Sequence, residues 1–216
     1  MAGIAAEGPG DPSFIRAAAE NIKTPDLEHS LQVARFSLQL YDQLRDTLDL
    51  SPESRDLLAA AALWHDAGQF RNLAEHHKQS FDIIMAQPLT GYSRLEQLQI
   101  ANIARYHRRA PPSREHPGYR NLPRRLRLDV DRMSALLRIG EGLDAGHLGV
   151  VRDIQCESHP GYITVRVIAR SYPMMEIERA RERAGLFREV FNRDIEFVAS
   201  LERGDATASG ASDDRE

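Results

Sequence analysis

The chain has 216 residues, 42% of them hydrophobic and 28% charged, with a formal net charge of −4. That composition fits one globular domain with a sizeable core, offers no global field pointing to nucleic acid, and contains no apolar run near the roughly 20 residues a membrane span needs. A single cysteine, Cys156, excludes an internal disulfide framework and fits a reducing compartment.

The opening "MAGIAAEGPGDPSF" lacks the basic-then-apolar pattern of a secretory leader, so a cytoplasmic location is expected. Residues 1–13 are rich in Gly, Ala and Pro, and residues 204–216 are small, polar and acidic. Neither stretch can bury enough apolar surface to offset its ordering entropy, so both are expected to be disordered around a folded region of 14–203.

In "TPDLEHSLQVARFSLQLYDQL", Thr24 and Pro25 read as N-cap and first helical residue. Leu27, Leu31, Ala34 and Leu38 follow helical spacing, Val33, Phe36 and Leu40 widen the stripe, and His29 lies on the same face. In "SPESRDLLAAAALWHDAGQF", Ser51 and Pro52 start a helix and Gly68 stops it, which puts His65 and Asp66 in the last turn. His76 and His77 open the next helix, in "EHHKQSFDII". In "SRLEQLQIANIARYHRRAPP", Ser93 and Glu96 have capping-box spacing, Ile100, Ile103 and His107 share a face, and Pro111 ends the helix. The stripe Val130, Met133 and Leu137 in "DVDRMSALLRIGEGLDAGH" leads on to Asp144. From about residue 149 to 203 the character changes. "GVVRDIQCE" and "YITVRVIAR" read as a hairpin turned at "SHPG", "MMEIERARERAGLFREVFNRD" as one amphipathic helix, and "IEFVASLE" as a last strand. The expected fold is therefore mainly α, a helical body followed by a small β-β-α-β tail.

His29, the His65-Asp66 pair, His107 and Asp144 fall on or near faces that should be buried. Each alone would read as a hydrogen-bonded or surface residue. Several imidazoles and carboxylates buried on different helices make sense if they converge on a cation, because an isolated buried charge is costly. Nitrogen and oxygen donors of this kind suit manganese, iron, zinc or magnesium. One of His76 and His77 could join His107 and a bridging Asp66 around a second ion. Adjacent helical residues point about 100° apart, so only one of the two should ligate. His116, His147 and His159 lie in loop-like stretches and read as structural or surface residues, and Trp64 reads as core.

The order His29, His65-Asp66, Asp144 on separate helices resembles the HD superfamily of metal-dependent phosphohydrolases. "AAALWHDAGQF", "HHKQSFDII", "GYSRLEQLQIANIARYHRRAPP" and "LLRIGEGLDAGHLGVV" resemble more closely the C-terminal HD-like domain of the Ppx/GppA family of exopolyphosphatases and guanosine-pentaphosphate phosphatases. The resemblance implies an HD-domain helical bundle. It implies His29, His65, Asp66 and Asp144 as core metal ligands, and His76 or His77 with His107 as the extra histidines of two-metal members. In that family the phosphatase site lies in actin-like domains with glycine-rich phosphate loops. These 216 residues contain no such loop, so that chemistry is not carried over, and the module reads as freestanding.

The leading expectation is a metal-dependent phosphohydrolase, with one or two divalent ions, acting on a nucleotide or related phosphorylated small molecule. Asp66 would ligate and orient the attacking water, while Lys78 and Arg108 would stabilise phosphoryl charge. "RYHRRAPPSREHPGYRNLPRRLR", from Arg105 to Arg127, reads as an arginine-rich loop with Tyr106 and Tyr119 interleaved, able to steer polyphosphate, a nucleotide or RNA. The alternative is a non-catalytic module that binds polyphosphate or guanosine polyphosphate. A structural module with a vestigial site fits less well, since it has no reason to keep buried charges. The edge of the hairpin would also permit self-association.

Overall fold

The computed structural model describes residues 24–71, 73–86 and 88–202. The segments 1–13 and 204–216, expected to be disordered, lie outside the described residues. The protein is mainly helical, with a three-stranded sheet at its C-terminal end.

Helix α1 (Leu27–Leu44) starts two residues later than expected. Asp26 is its N-cap, and the Asp26 carboxylate accepts from the His29 backbone N–H at 3.0 Å. Helix α2 (Ser54–Trp64) starts after a turn through Pro52 and ends at Trp64, with His65 as its C-cap. Gly68 is therefore not the helix stop. It sits inside a 3₁₀ turn (Ala67–Phe70) that carries the chain from His65 toward helix α3 (His76–Ala86). What demands glycine is close approach, because a Cβ at Gly68 would lie 2.2 Å from the His76 carbonyl oxygen and 2.6 Å from the Ser80 backbone nitrogen. Helix α4 (Arg94–Arg105) has the expected capping box, with the Ser93 N–H donating to Glu96 at 2.7 Å and the Glu96 N–H to the Ser93 hydroxyl at 3.3 Å. It ends at Arg105, six residues before Pro111, so His107 lies just beyond it.

The expected arginine-rich loop is partly helical. A short helix α5 (Pro117–Arg120) interrupts it, and helix α6 (Arg124–Gly142) already includes its last residues. Asp144 follows the end of α6 by two residues. Helices α1, α2, α4 and α6 pack on one another through Val33, Phe36, Leu40, Leu58, Ile100, Ile103, Leu136 and Leu137, all buried. Each such side chain contributes about 1.5–3 kcal/mol relative to exposure. No helix among the described residues is long and apolar enough to cross a membrane.

Strands β1 (Val151–His159) and β2 (Tyr162–Ala169) form the expected hairpin, turned at Pro160-Gly161 with Gly161 at φ +87°, a conformation that glycine adopts without strain. The expected single helix after it is two. Helix α7 (Met174–Arg183) and helix α8 (Gly185–Phe191) are separated at Ala184, where Gly185 is a poor helix former. Strand β3 (Asp194–Leu201) then pairs with β2 in parallel, from Tyr162 opposite Asp194 to Ala169 opposite Leu201. Parallel neighbours need a crossover connection, and α7 and α8 supply it. Both helices pack back on α6, which docks the tail on the helical body.

Candidate metal centre

The ends of several helices meet at one buried point. His29 comes from the first turn of α1, His65 from the C-cap of α2, His76 from the start of α3 and His107 from the turn after α4. All four are buried, and Asp66 lies between them. Asp66 Oδ1 is 3.0 Å from His76 Nε2 and 3.8 Å from His107 Nε2. Asp66 Oδ2 is 3.4 Å from His65 Nε2 and 3.9 Å from His29 Nε2. Two groups share this carboxylate, His29–His65–Asp66 and Asp66–His76–His107, each with its donor atoms within 4.8 Å of one another.

The far nitrogen of each imidazole explains why the near one is free to ligate. His65 Nδ1 donates to the Ala62 carbonyl at 2.6 Å, His76 Nδ1 to Leu73 at 2.8 Å and His107 Nδ1 to Ala104 at 2.7 Å. A carbonyl only accepts, so Nδ1 carries the proton in all three and Nε2 presents a lone pair. His29 Nδ1 faces the Asp144 carboxylate at 2.8 Å, with the same consequence. Partners of this kind orient histidine ligands in metal sites. The Nε2 atoms of His29 and His65 are buried without a hydrogen-bond partner, and those of His76 and His107 lie 3.1 Å apart. Four lone pairs around one carboxylate are the donor set of a borderline divalent cation, and the residues fit such an ion. The carbonyl ends of α2 and α4 add partial negative charge.

Burial holds the His65 and His107 imidazoles below their ordinary pKa, so both are neutral at pH 7. These shifts carry a stability prediction for the metal-free protein. The unfolded histidines take up protons near pH 6.5 and the folded ones do not, so this stability is complete above about pH 6.5 and falls as pH drops through it. The urea midpoint should fall from pH 7 to pH 4 at an unchanged m value, as the unfolding free energy drops by up to about 1.4 kcal/mol per pH unit for each proton of difference. A flat profile would contradict the buried, neutral histidines.

The sequence left His76 and His77 undecided, and the structure separates them. His76 points at Asp66. His77 lies outside both groups, its ring at 85° to that of His76, with burial pushing its pKa down to about 4. Asp144 stands behind His29 and orients it through Nδ1. Arg108 reaches the centre, with Nη1 3.4 Å from His76 Nε2. Lys78 points to solvent and pairs with Glu75.

Four neighbours of the centre were not singled out from the sequence. The Gln69 side-chain amide donates to Asp66 Oδ2. His147 stacks on His29 with ring centroids 3.7 Å apart, its Nδ1 2.9 Å from Asp26 Oδ2. Arg138 donates to the carbonyls of Tyr106, Arg109 and Ala110 at 2.7, 2.8 and 3.0 Å, pinning the turn that carries His107 and Arg108. Arg183, on α7, meets the Glu141 carboxylate and lies close enough to Arg108 and Asp66 to feel their charges, and burial pushes its guanidinium down to about 10. Only Gln69 had a local signal, its position three residues after Asp66. The other three reach the centre through tertiary packing.

All the residues of the two donor groups, and Asp144 behind them, fall in the stretch that matches a known protein family. Residues 17–149 match the family described as Ppx/GppA phosphatase, domain III, which leaves the β-tail beyond the matched region, and the chain belongs to that family.

Proposed function

We propose that this protein is a metal-dependent phosphohydrolase of the HD type, acting on a phosphoester or phosphoanhydride of a nucleotide or related phosphorylated small molecule. The observation that carries this reading is the shared Asp66 carboxylate, with two histidine lone pairs facing each of its oxygens. His29, His65 and Asp66 would hold one divalent ion, and Asp66, His76 and His107 a second. An ion bound there supplies a Lewis acid for a phosphoryl oxygen and makes water a competent nucleophile near neutral pH.

The chain's own residues do the rest. Asp144 and the carbonyls of Ala62, Leu73 and Ala104 fix the imidazole orientations. Arg108, beside His76, is placed to hold phosphoryl oxygens through its guanidinium, a geometry that suits phosphate. Lys78, engaged with Glu75, has no part in this reading. The order His29, His65-Asp66, His107, Asp144 on separate elements supports the relation to the HD superfamily.

A second reading is favoured by one observation, that the matched family region is domain III alone. On that reading the module binds polyphosphate or guanosine polyphosphate without cleaving it. The deciding experiment is to strip the protein with chelator, reload it with manganese, iron, zinc or magnesium, measure the metal content, and assay phosphate release from nucleotides, guanosine polyphosphates and polyphosphate. Bound metal with release is expected. Bound metal without release of phosphate from any of these leaves the binding reading, and a protein that takes up no metal rules out the centre itself.

A further inference from the structure

We propose that Arg183, delivered by the tail helix α7, is a second phosphoryl-binding residue of the metal centre, acting with Arg108 and held by Glu141 until a phosphoryl group takes the place of Glu141. The inference rests on the reading of that centre as one that receives a phosphoryl group.

The two donor groups, Arg108, Arg138, Glu141 and Asp144 all precede the tail in the chain. Arg183 joins them because of how α7 packs. The buried residues of α7 are Glu176, Ile177 and Ala180, and Arg183 follows Ala180 by three positions and Glu176 by seven, on the same face. That face meets the last turn of α6, where a Cβ on Gly142 would lie 2.7 Å from the Ala180 backbone nitrogen. Glu141 is the next residue along α6, and its carboxylate pairs with the Arg183 guanidinium. The two side chains are 23% and 13% exposed, so this is not a surface ion pair of the kind that contributes little.

Positive charge is in excess here. Arg183 is close enough to Arg108, Arg138 and Asp66 to feel the charge of all three. Like charges brought together under partial burial repel, because less water screens them. Arg138 is fixed to the backbone, donating to the carbonyls of Tyr106, Arg109 and Ala110. Arg108 stands with Nη1 3.4 Å from His76 Nε2 and pairs with no carboxylate among the described residues. Asp66 and Asp144 are engaged by histidines, which leaves Glu141 as the counter-ion to the set. Divalent ions held by Asp66 would add to the excess. A phosphoryl group carries the charge that offsets it, and its oxygens match the planar guanidinium fork. Arg183 can hold those oxygens only by letting go of Glu141, so Glu141 competes with the ligand.

That competition gives the test a sign. Calorimetry measures binding of inorganic phosphate to the full chain reloaded with whichever divalent ion it takes up, with metal content and urea midpoint measured alongside. Arg183→Gln should weaken phosphate binding roughly tenfold or more. Glu141→Gln should tighten it about threefold. Both should keep the wild-type metal content. If the pair only docked the tail, both substitutions would lower the urea midpoint and neither would tighten phosphate binding. Glu141→Gln/Arg183→Gln replaces the ion pair with two neutral amides, and it serves where Arg183→Gln alone is poorly folded. It should bind phosphate as weakly as Arg183→Gln. Arg179→Gln, which removes the same charge from an exposed position of α7, should stay within about twofold of wild type. The inference is overturned if the chain takes up no metal, if wild type binds no phosphate, if Arg183→Gln and the double variant bind as wild type does, if Glu141→Gln fails to tighten binding, or if Arg179→Gln matches Arg183→Gln. A wild type that binds phosphate but releases none from any substrate ends the hydrolase reading alone, and the opposite shifts of the Arg183 and Glu141 variants would still uphold the binding role of Arg183.

Discussion

Asp66→Asn is expected to lose both metal and phosphate release. Both carboxylate oxygens are used, Oδ1 toward His76 and His107 and Oδ2 toward His65 and His29. Asparagine keeps the size but replaces one oxygen with an N–H donor and removes the charge. One donor group then loses its oxygen, and the N–H points at imidazole lone pairs where a cation should sit. If the protein is a phosphohydrolase, release should fall by about 10³-fold or more, the scale of losing several kcal/mol of Lewis-acid stabilisation. Elemental analysis after reloading should find the metal content reduced in parallel. His77→Ala is the matched control, since His77 belongs to neither group, and it should keep its metal. An Asp66→Asn protein that retained full metal and release would sink the bridged centre, whatever the substrate.

Gly68→Ala should damage the same centre through the backbone. Its added Cβ would lie 2.2 Å from the His76 carbonyl oxygen, 2.6 Å from the Ser80 nitrogen and 2.7 Å from the Gln79 Cβ. Two of these are backbone atoms at the start of α3, so no side-chain rotation relieves the clash. The turn is also tied to α3 by the Ser80 hydroxyl, which donates to the His65 carbonyl at 2.7 Å and accepts from the Gly68 N–H at 2.9 Å. Moving α3 away breaks those bonds and withdraws His76 from Asp66. The expected cost is about 1–3 kcal/mol, the usual range for overpacking, read as a lower urea midpoint with an unchanged m value. The Asp66–His76–His107 group should lose its ion more readily than the other. A variant with wild-type stability and metal content would mean that α3 is not held against the turn this closely.

Much of the helical body was legible because its signals are local. The stripes around Val33, Ile103 and Leu137 repeat at helical spacing, and Ser93 with Glu96 announces its helix three residues apart. The hairpin was legible from two β-rich runs around Pro160-Gly161. Boundaries were less so. Asp26 took the cap expected of Thr24 because its carboxylate reaches the His29 N–H, and α2 stopped at Trp64, before the glycine that seemed to end it. Gly68 looked like a helix stop in the sequence because glycine serves both chain reversal and close packing, and only the proximity of α3 tells them apart.

The sequence by itself determined a mainly helical chain with a β-tail, and it singled out His29, His65, Asp66, His107 and Asp144 as polar residues in places that should be buried. Residue type and helical phase carry that information. Only the tertiary structure decided that His76 rather than His77 faces Asp66, that Asp144 stands behind His29, and that Arg138 and Arg183 come in from distant elements to surround the turn bearing His107 and Arg108. These depend on how helices are rotated and packed against one another. Helical phase says which side of its own helix a residue occupies, and it is silent on which other helix that side will meet.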